Sequence, residues 1–123
     1  MGIYVDGMVT PVQKKHIASY VRISRMFGDV WRKHGALEYR ECVADDVKLG
    51  KRTSFPRSVE LKRGEVVCLS WTLYRSRGHR DKVMAKAMKD PRVVSFMASK
   101  KRPPFDMKRL YFGGFKSVVE LKR

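Results

Sequence analysis

No apolar run in this chain approaches the roughly 20 residues that a helix needs to cross a bilayer, so a membrane span is not expected. The first residues lack the basic-then-apolar order of a secretory leader, and Asp6 stands where a myristoylation motif after Gly2 needs Ser or Thr. Cysteine is scarce: Cys42 and Cys68 are the two present. Both fall in strand-like segments, where a free thiol packs as a small apolar group. Two thiols without a leader fit a reducing cytoplasm better than a disulfide scaffold. The three histidines, His16, His34 and His79, fall near helix ends or turns, and no His, Cys and carboxylate spacing matches a metal site. Neither a metal nor another cofactor is expected. Acidic residues are also few, 12 against 28 Lys and Arg, leaving a net charge of +16. Such an excess brings nucleic acid or another polyanion into view as a partner. The segments 1–31, 32–63, 64–90 and 91–123 are all net positive, however, and Lys100-Lys101-Arg102 is the one tight knot. The charge reads as a coat more than as a dedicated groove.

The chain has 123 residues, 43% of them hydrophobic, enough for one domain over 1–123 with a single core. Apolar residues alternate from Ile3 to Val9, the period of a strand, and Pro11 is expected to stop it. Between Lys14 and His34, Ile17, Tyr20, Val21, Phe27 and Trp31 share a helical face with Ser24 and Gly28. Gly35 then suits the left-handed C-terminal position. Leu37–Ala44 reads as a second strand. Residues 45–63 read as a long connection with a short element near Phe55–Leu61. Glu65–Tyr74 is the clearest strand. Arg77–Met88 follows as a helix, Asp90-Pro91 caps and starts another, and Lys108–Leu121 reads as the last strand. The order β-α-β-β-α-β is that of an α+β, ferredoxin-like domain with an antiparallel sheet.

With both helices on one side, the other face of such a sheet must be covered. The alternation assigns it Tyr4, Asp6 and Met8, then Glu38, Arg40 and Cys42, then Cys68, Ser70 and Thr72. That set is mixed in polarity, suited to a cavity enclosed by a second copy packed sheet to sheet. The segments "YVDGMV", "HGALEYRECVADDV", "GKRTSFPRSV", "EVVCLSWTLYRSRGHRD", "MKDPR" and "PPFDMKRLYFGGF", in that order, resemble the YbaA-like family of bacterial proteins, domain of unknown function 1428. The resemblance covers nearly the whole chain. It departs at Leu69, where the family favours an aromatic, and at Leu110, where methionine is common. It implies a dimeric α+β barrel, a superfamily that includes small monooxygenases, haem-degrading enzymes and isomerising or decarboxylating enzymes, and it implies no particular activity.

The expected function is therefore binding or transformation of a small organic molecule in a metal-free cavity of a homodimer. Asp6 is the candidate for proton work, or else pairs with Arg109, itself the candidate counter-ion to an acidic substrate. Tyr4, Glu41, Ser70 and Trp71 are the candidate ligand-binding residues, Trp71 as an apolar wall. Cys42 is read as structural, because neighbouring Glu41 raises rather than lowers a thiol pKa. Arg80 and Asp81 are read as fixing a helix start. The alternative is a nucleic-acid binder using Lys100, Lys101 and Arg102, or an interaction protein without an active site. Gly113-Gly114 interrupts an apolar strand. Either the strand bends there and swings Phe115 into the core or the dimer seam, or the missing Cβ atoms leave room for a ligand.

Overall fold

In the computed structural model, which describes residues 2–123, β1 (Tyr4–Gln13) runs four residues past Val9 and carries Pro11, the expected stop, within it. Continuous pairing on one side of β1 ends at Val9, and on that side only an isolated bridge from Val12 to Phe105 follows, so Pro11 lies outside that ladder, where a missing N–H is tolerated. A 3-10 turn, Lys14–His16, leads into α1 (Ile17–Lys33). The helix ends on Gly35 at φ +120, with Ala36 N–H bonded back to the Trp31 carbonyl at 3.0 Å, the closing bond of a Schellman motif. A Cβ there would press on His79 and Val83 at 3.3 Å.

β2 (Glu38–Val43), the single-turn helix α2 (Phe55–Ser58) and β3 (Glu65–Tyr74) follow. Ser76 caps α3 (Arg77–Ala87) by accepting from His79 N–H at 3.0 Å. Asp90 caps α4 (Pro91–Ala98) by accepting from Arg92 N–H at 3.0 Å. The last strand, β4 (Tyr111–Lys116), is shorter than the sequence suggests. Asp106 takes up the preceding residues in a turn, accepting from Lys108 N–H at 2.8 Å through its side chain and from Leu110 N–H at 3.1 Å through its carbonyl.

The four strands form an antiparallel sheet in the order β2-β3-β1-β4, the ferredoxin-like arrangement read from the sequence. Register decides which residues share a face, because paired residues point the same way. Tyr4, Asp6, Met8 and Thr10 pair with Tyr74, Thr72, Ser70 and Cys68. Tyr39 and Glu41 continue the Thr72 and Ser70 rungs onto β2. This face lies under the helices: Tyr4 and Tyr74 pack with Ala36, Val83 and Trp31, while Val12 and Cys68 pack with Tyr20 and Ile17. A third cluster, Val30, Ala87 and Val93, joins the helices to one another.

The assignment of faces is thereby corrected. Tyr4, Asp6, Met8, Cys68, Ser70 and Thr72 lie on the helix side. Of the residues expected on the open face, Glu38, Arg40 and Cys42 are found there, beside Leu73, Trp71 and Leu69. The small even-numbered residues of β3 let the helices approach closely, and the large odd-numbered ones are left on the far side. That far side is covered at one end by the connection before β3, where Val59 and Leu61 pack on Val9, Val67 and Leu69. Elsewhere it is open, apolar over β3, β1 and β4 and charged at the β2 edge, where Glu38 and Arg40 lie: Val5, Trp71 and Leu73 are half-buried, and Tyr111 and Phe115 are exposed.

Candidate functional site

Asp6 sits near the start of β1 on the helix side, and the guanidinium that meets it comes from α3. Arg80 Nη1 lies 2.7 Å from Asp6 Oδ1, with both side chains 14% exposed. The Ser76 cap makes this possible, because it fixes the first turn of α3 and holds Arg80 N–H on the Ser76 carbonyl at 3.0 Å. Arg80 is then aimed down at the sheet. Its Nε donates to Asp81 at 2.9 Å, and its Cζ lies 5.0 Å from the Tyr4 ring centroid, a cation–π contact. Burial pushes the Asp6 carboxyl above the usual carboxylate range, although the Arg80 charge pulls the other way. Tyr74 is fully buried nearby, and its hydroxyl finds no partner among the described residues.

Beside this cluster the helix face is uncovered. Gly114 pairs with Asp6 and Phe112 with Met8; Gly114 is exposed, and Phe112 is 60% exposed. Asp6, Tyr4 and Arg80 therefore form the wall of a strip whose floor is β4. The glycine is required by the wall, since a Cβ on Gly114 would fall 2.8 Å from Tyr4 Cε2 and Cζ. Pairing between β1 and β4 is unbroken from Val9↔Tyr111 to Tyr4↔Lys116, so the double glycine marks no bulge. Phe115 is 61% exposed on the open face instead of turning into the core.

Arg109 does not meet Asp6. Its guanidinium binds Glu65 at 2.6 Å and Asp106 at 2.9 Å and donates to the Val59 and Glu60 carbonyls at 3.2 and 3.1 Å. That holds the Glu65 and Asp106 carboxyls below their ordinary values. Trp71 is also separate from Asp6, because it faces the open side, where its indole donates to Glu38 at 3.0 Å. Ser70 and Glu41 share the helix face with Asp6, one rung further along. Lys100, Lys101 and Arg102 are exposed in the loop after α4. Cys42 and Cys68 are free thiols on opposite faces, and burial pushes the Cys68 thiol up to about 12. Among the described residues, no group of three or more His, Cys, Asp or Glu side chains is placed to hold a metal ion. Sequence reasoning missed Arg80 as the partner of Asp6, since no local spacing links residues 74 positions apart.

Glu41 is a second carboxyl group beneath the helices. One carboxyl oxygen accepts from the Tyr20 hydroxyl at 2.9 Å, and the other is buried with no partner among the described residues. Burial raises its pKa from 4.5. The folded protein then holds this proton more tightly than the unfolded chain, so stability falls as pH rises from the unfolded value through the folded one. Urea unfolding as a function of pH is expected to show that decline in the wild type and a flatter profile in Glu41→Gln.

The family model described as "Protein of unknown function (DUF1428)" matches residues 3–107. The protein described as "Uncharacterized protein YbaA" of Escherichia coli (strain K12) is 38% identical over 117 residues, which cover 95% of this chain and 97% of that one. The protein of that description from Shigella flexneri matches to the same extent. Among solved structures, a dimeric ferredoxin-like protein from an uncultured marine organism aligns with a TM-score of 0.55 at 9% identity, covering 98% of this chain and 100% of that one. A nipsnap family protein with unknown function from Agrobacterium tumefaciens aligns with a TM-score of 0.54 at 16% identity, covering 94% of this chain and 88% of that one. These likenesses share the ferredoxin-like fold, and on the sequence matches the chain belongs to the YbaA-like family, DUF1428.

Proposed function

We propose that this protein works as a homodimer that binds a small organic molecule on the β4 strip, with Asp6 exchanging a proton with it. The observation that carries this reading is the Asp6–Arg80 pair. It combines a carboxyl whose proton affinity is raised by burial with an adjacent surface of Gly114 and the 60% exposed Phe112. A poised carboxyl beside an apolar shelf suits proton transfer at a bound molecule. Phe112 would carry the apolar body of the ligand. Tyr4 and Arg80 would fix Asp6, with Ser70 and Glu41 deeper on the same face. Arg109 and Trp71 take no part in this version of the site.

The homodimer is supported by the open sheet face. Leu69, Trp71, Leu73 and Val5 form an apolar surface on the side away from the helices, and an isologous contact would cover it in both copies at once. Sedimentation should give a dimer for the wild type and a monomer for Leu73→Glu. A thermal-shift screen against small organic acids, phenols and carbonyl compounds should find ligands that raise the Tm of the wild type. Their effect should be lost in Asp6→Asn and in Phe112→Ala while both variants still unfold cooperatively. Ligand stabilisation unchanged by both substitutions would move the site elsewhere, and a wild type that sediments as a monomer would remove the dimer.

A further inference from the structure

A groove of about 1040 Å³ lies past the C-terminal end of β1, at the other end of the sheet from Asp6. Its walls come from segments that are far apart in sequence. The 3-10 turn contributes His16 and α1 contributes Arg22, the loop after α4 contributes Lys101 and Arg102, and Lys62 and Lys108 complete the rim. The carboxylates lining it are Glu65 and Asp106, and Arg109 holds both. Arg22, Lys62, Lys101, Arg102 and Lys108 have no carboxylate within ion-pair distance among the described residues. Arg22 donates only to Ser19, at 3.1 Å. The floor is apolar, formed by Pro103, Pro104 and Phe105, and Phe105 is fixed edge-on against Tyr20 at 5.8 Å.

We infer that this groove is a binding site for single-stranded nucleic acid, separate from the Asp6 strip. Three properties lead there. The cations are unneutralised and lie in a concavity, where field lines concentrate and counter-ions gather. Five of them line the one groove, more positive charge than a single phosphate can neutralise. Two aromatic side chains, Phe96 and Phe105, line the same groove, and aromatic rings beside a row of cations are the usual arrangement for a single strand. The basic coat thus contains one shaped site, which Lys101 and Arg102 enter and Lys100 does not.

The test is fluorescence anisotropy of a labelled mixed-sequence oligonucleotide, titrated with the full chain at low salt and again at higher salt. Arg22→Glu combined with Lys101→Glu removes two groove cations. Lys82→Glu combined with Lys86→Glu removes two exposed cations of α3, outside the groove, and leaves the same net charge. The groove pair should weaken binding by about tenfold or more and lower its salt dependence, whereas the α3 pair should change it by less than about twofold. Arg22→Gln with Lys101→Gln serves if the reversed pair fails to fold, with the same direction expected. Equal losses from the two pairs would reduce the binding to the general coat and overturn the inference, as would absence of binding. Displacement of the oligonucleotide by an equal concentration of a mononucleotide would also overturn it in favour of a free-nucleotide site. None of these substitutions touches Asp6, Arg80 or β4, so the outcome is independent of the proposal made for that strip.

Discussion

Arg109→Ala should lower folding stability by about 3–5 kcal/mol, the range for removing one partner of a buried ion pair. The guanidinium is 12% exposed and the Glu65 carboxylate 7%, so little water is available to take over when the charge is removed. The Val59 and Glu60 carbonyls lose their donor in the same step. The connection that covers one end of the open face, where Val59 is 1% exposed, is then no longer tied to the turn before β4. The loss should appear as a lower urea midpoint at neutral pH. The pH dependence gives a second reading. Glu65 and Asp106 have lowered folded pKa values, so their stabilisation is present above the unfolded values of 4.5 and 3.8 and is lost as pH falls through the folded ones. That acid limb should be much smaller in Arg109→Ala. A variant as stable as the wild type at neutral pH, with its acid limb intact, would show that the cluster carries no stability.

Gly114→Ala should be the more damaging of two chemically identical changes. A Cβ at Gly114 meets the Tyr4 ring at 2.8 Å, whereas one at Gly113 meets only the Phe115 ring, at 3.7 Å. Tyr4 cannot easily give way, since it is 8% exposed and packed with Tyr74, Ala36 and Val83, with Arg80 over its face. Overpacking of this kind costs about 1–3 kcal/mol, while Gly113→Ala should stay within about 0.5 kcal/mol of the wild type. Thermal melts of the two variants side by side measure the difference. Because Tyr4 also borders Asp6, Gly114→Ala should weaken ligand binding on the strip as well. Equal melts for the two variants would mean that Tyr4 relaxes freely.

The elements were legible where local chemistry is sufficient. β3 was readable from an unbroken β-favouring run, α4 from Asp90-Pro91, and the end of α1 from Gly35, because each signal acts within a few residues. β1 is longer than the sequence suggests because proline excludes only positions whose N–H is needed, and whether it is needed depends on how far β4 extends alongside. The orientation of the sheet was hidden for a different reason. Alternation sorts residues into two sets and does not say which set the helices take. Here they take Cys68, Ser70 and Thr72, and Leu69, Trp71 and Leu73 remain outside. Of the candidate site, Asp6 and Tyr4 are legible in the sequence, both in β1. Arg80 was not, because the contact depends on where α3 lands on the sheet, and Arg109 had a nearer claim from Glu65 and Asp106. The groove is not legible in the sequence, because nothing sets Arg22, Lys62 and Lys108 apart from the rest of its 28 basic residues.

The fit of the Tyr4 phenol over Gly114 also acts as a key for the last strand. β4 could slide along β1 by two residues without turning its faces over, since strand side chains repeat with period two. Either slide would bring Phe112 or Lys116 beneath the phenol, and both carry a side chain where the fit leaves room for none. Only one alignment seats the key. The final strand of the sheet therefore selects its register through a single missing methyl group.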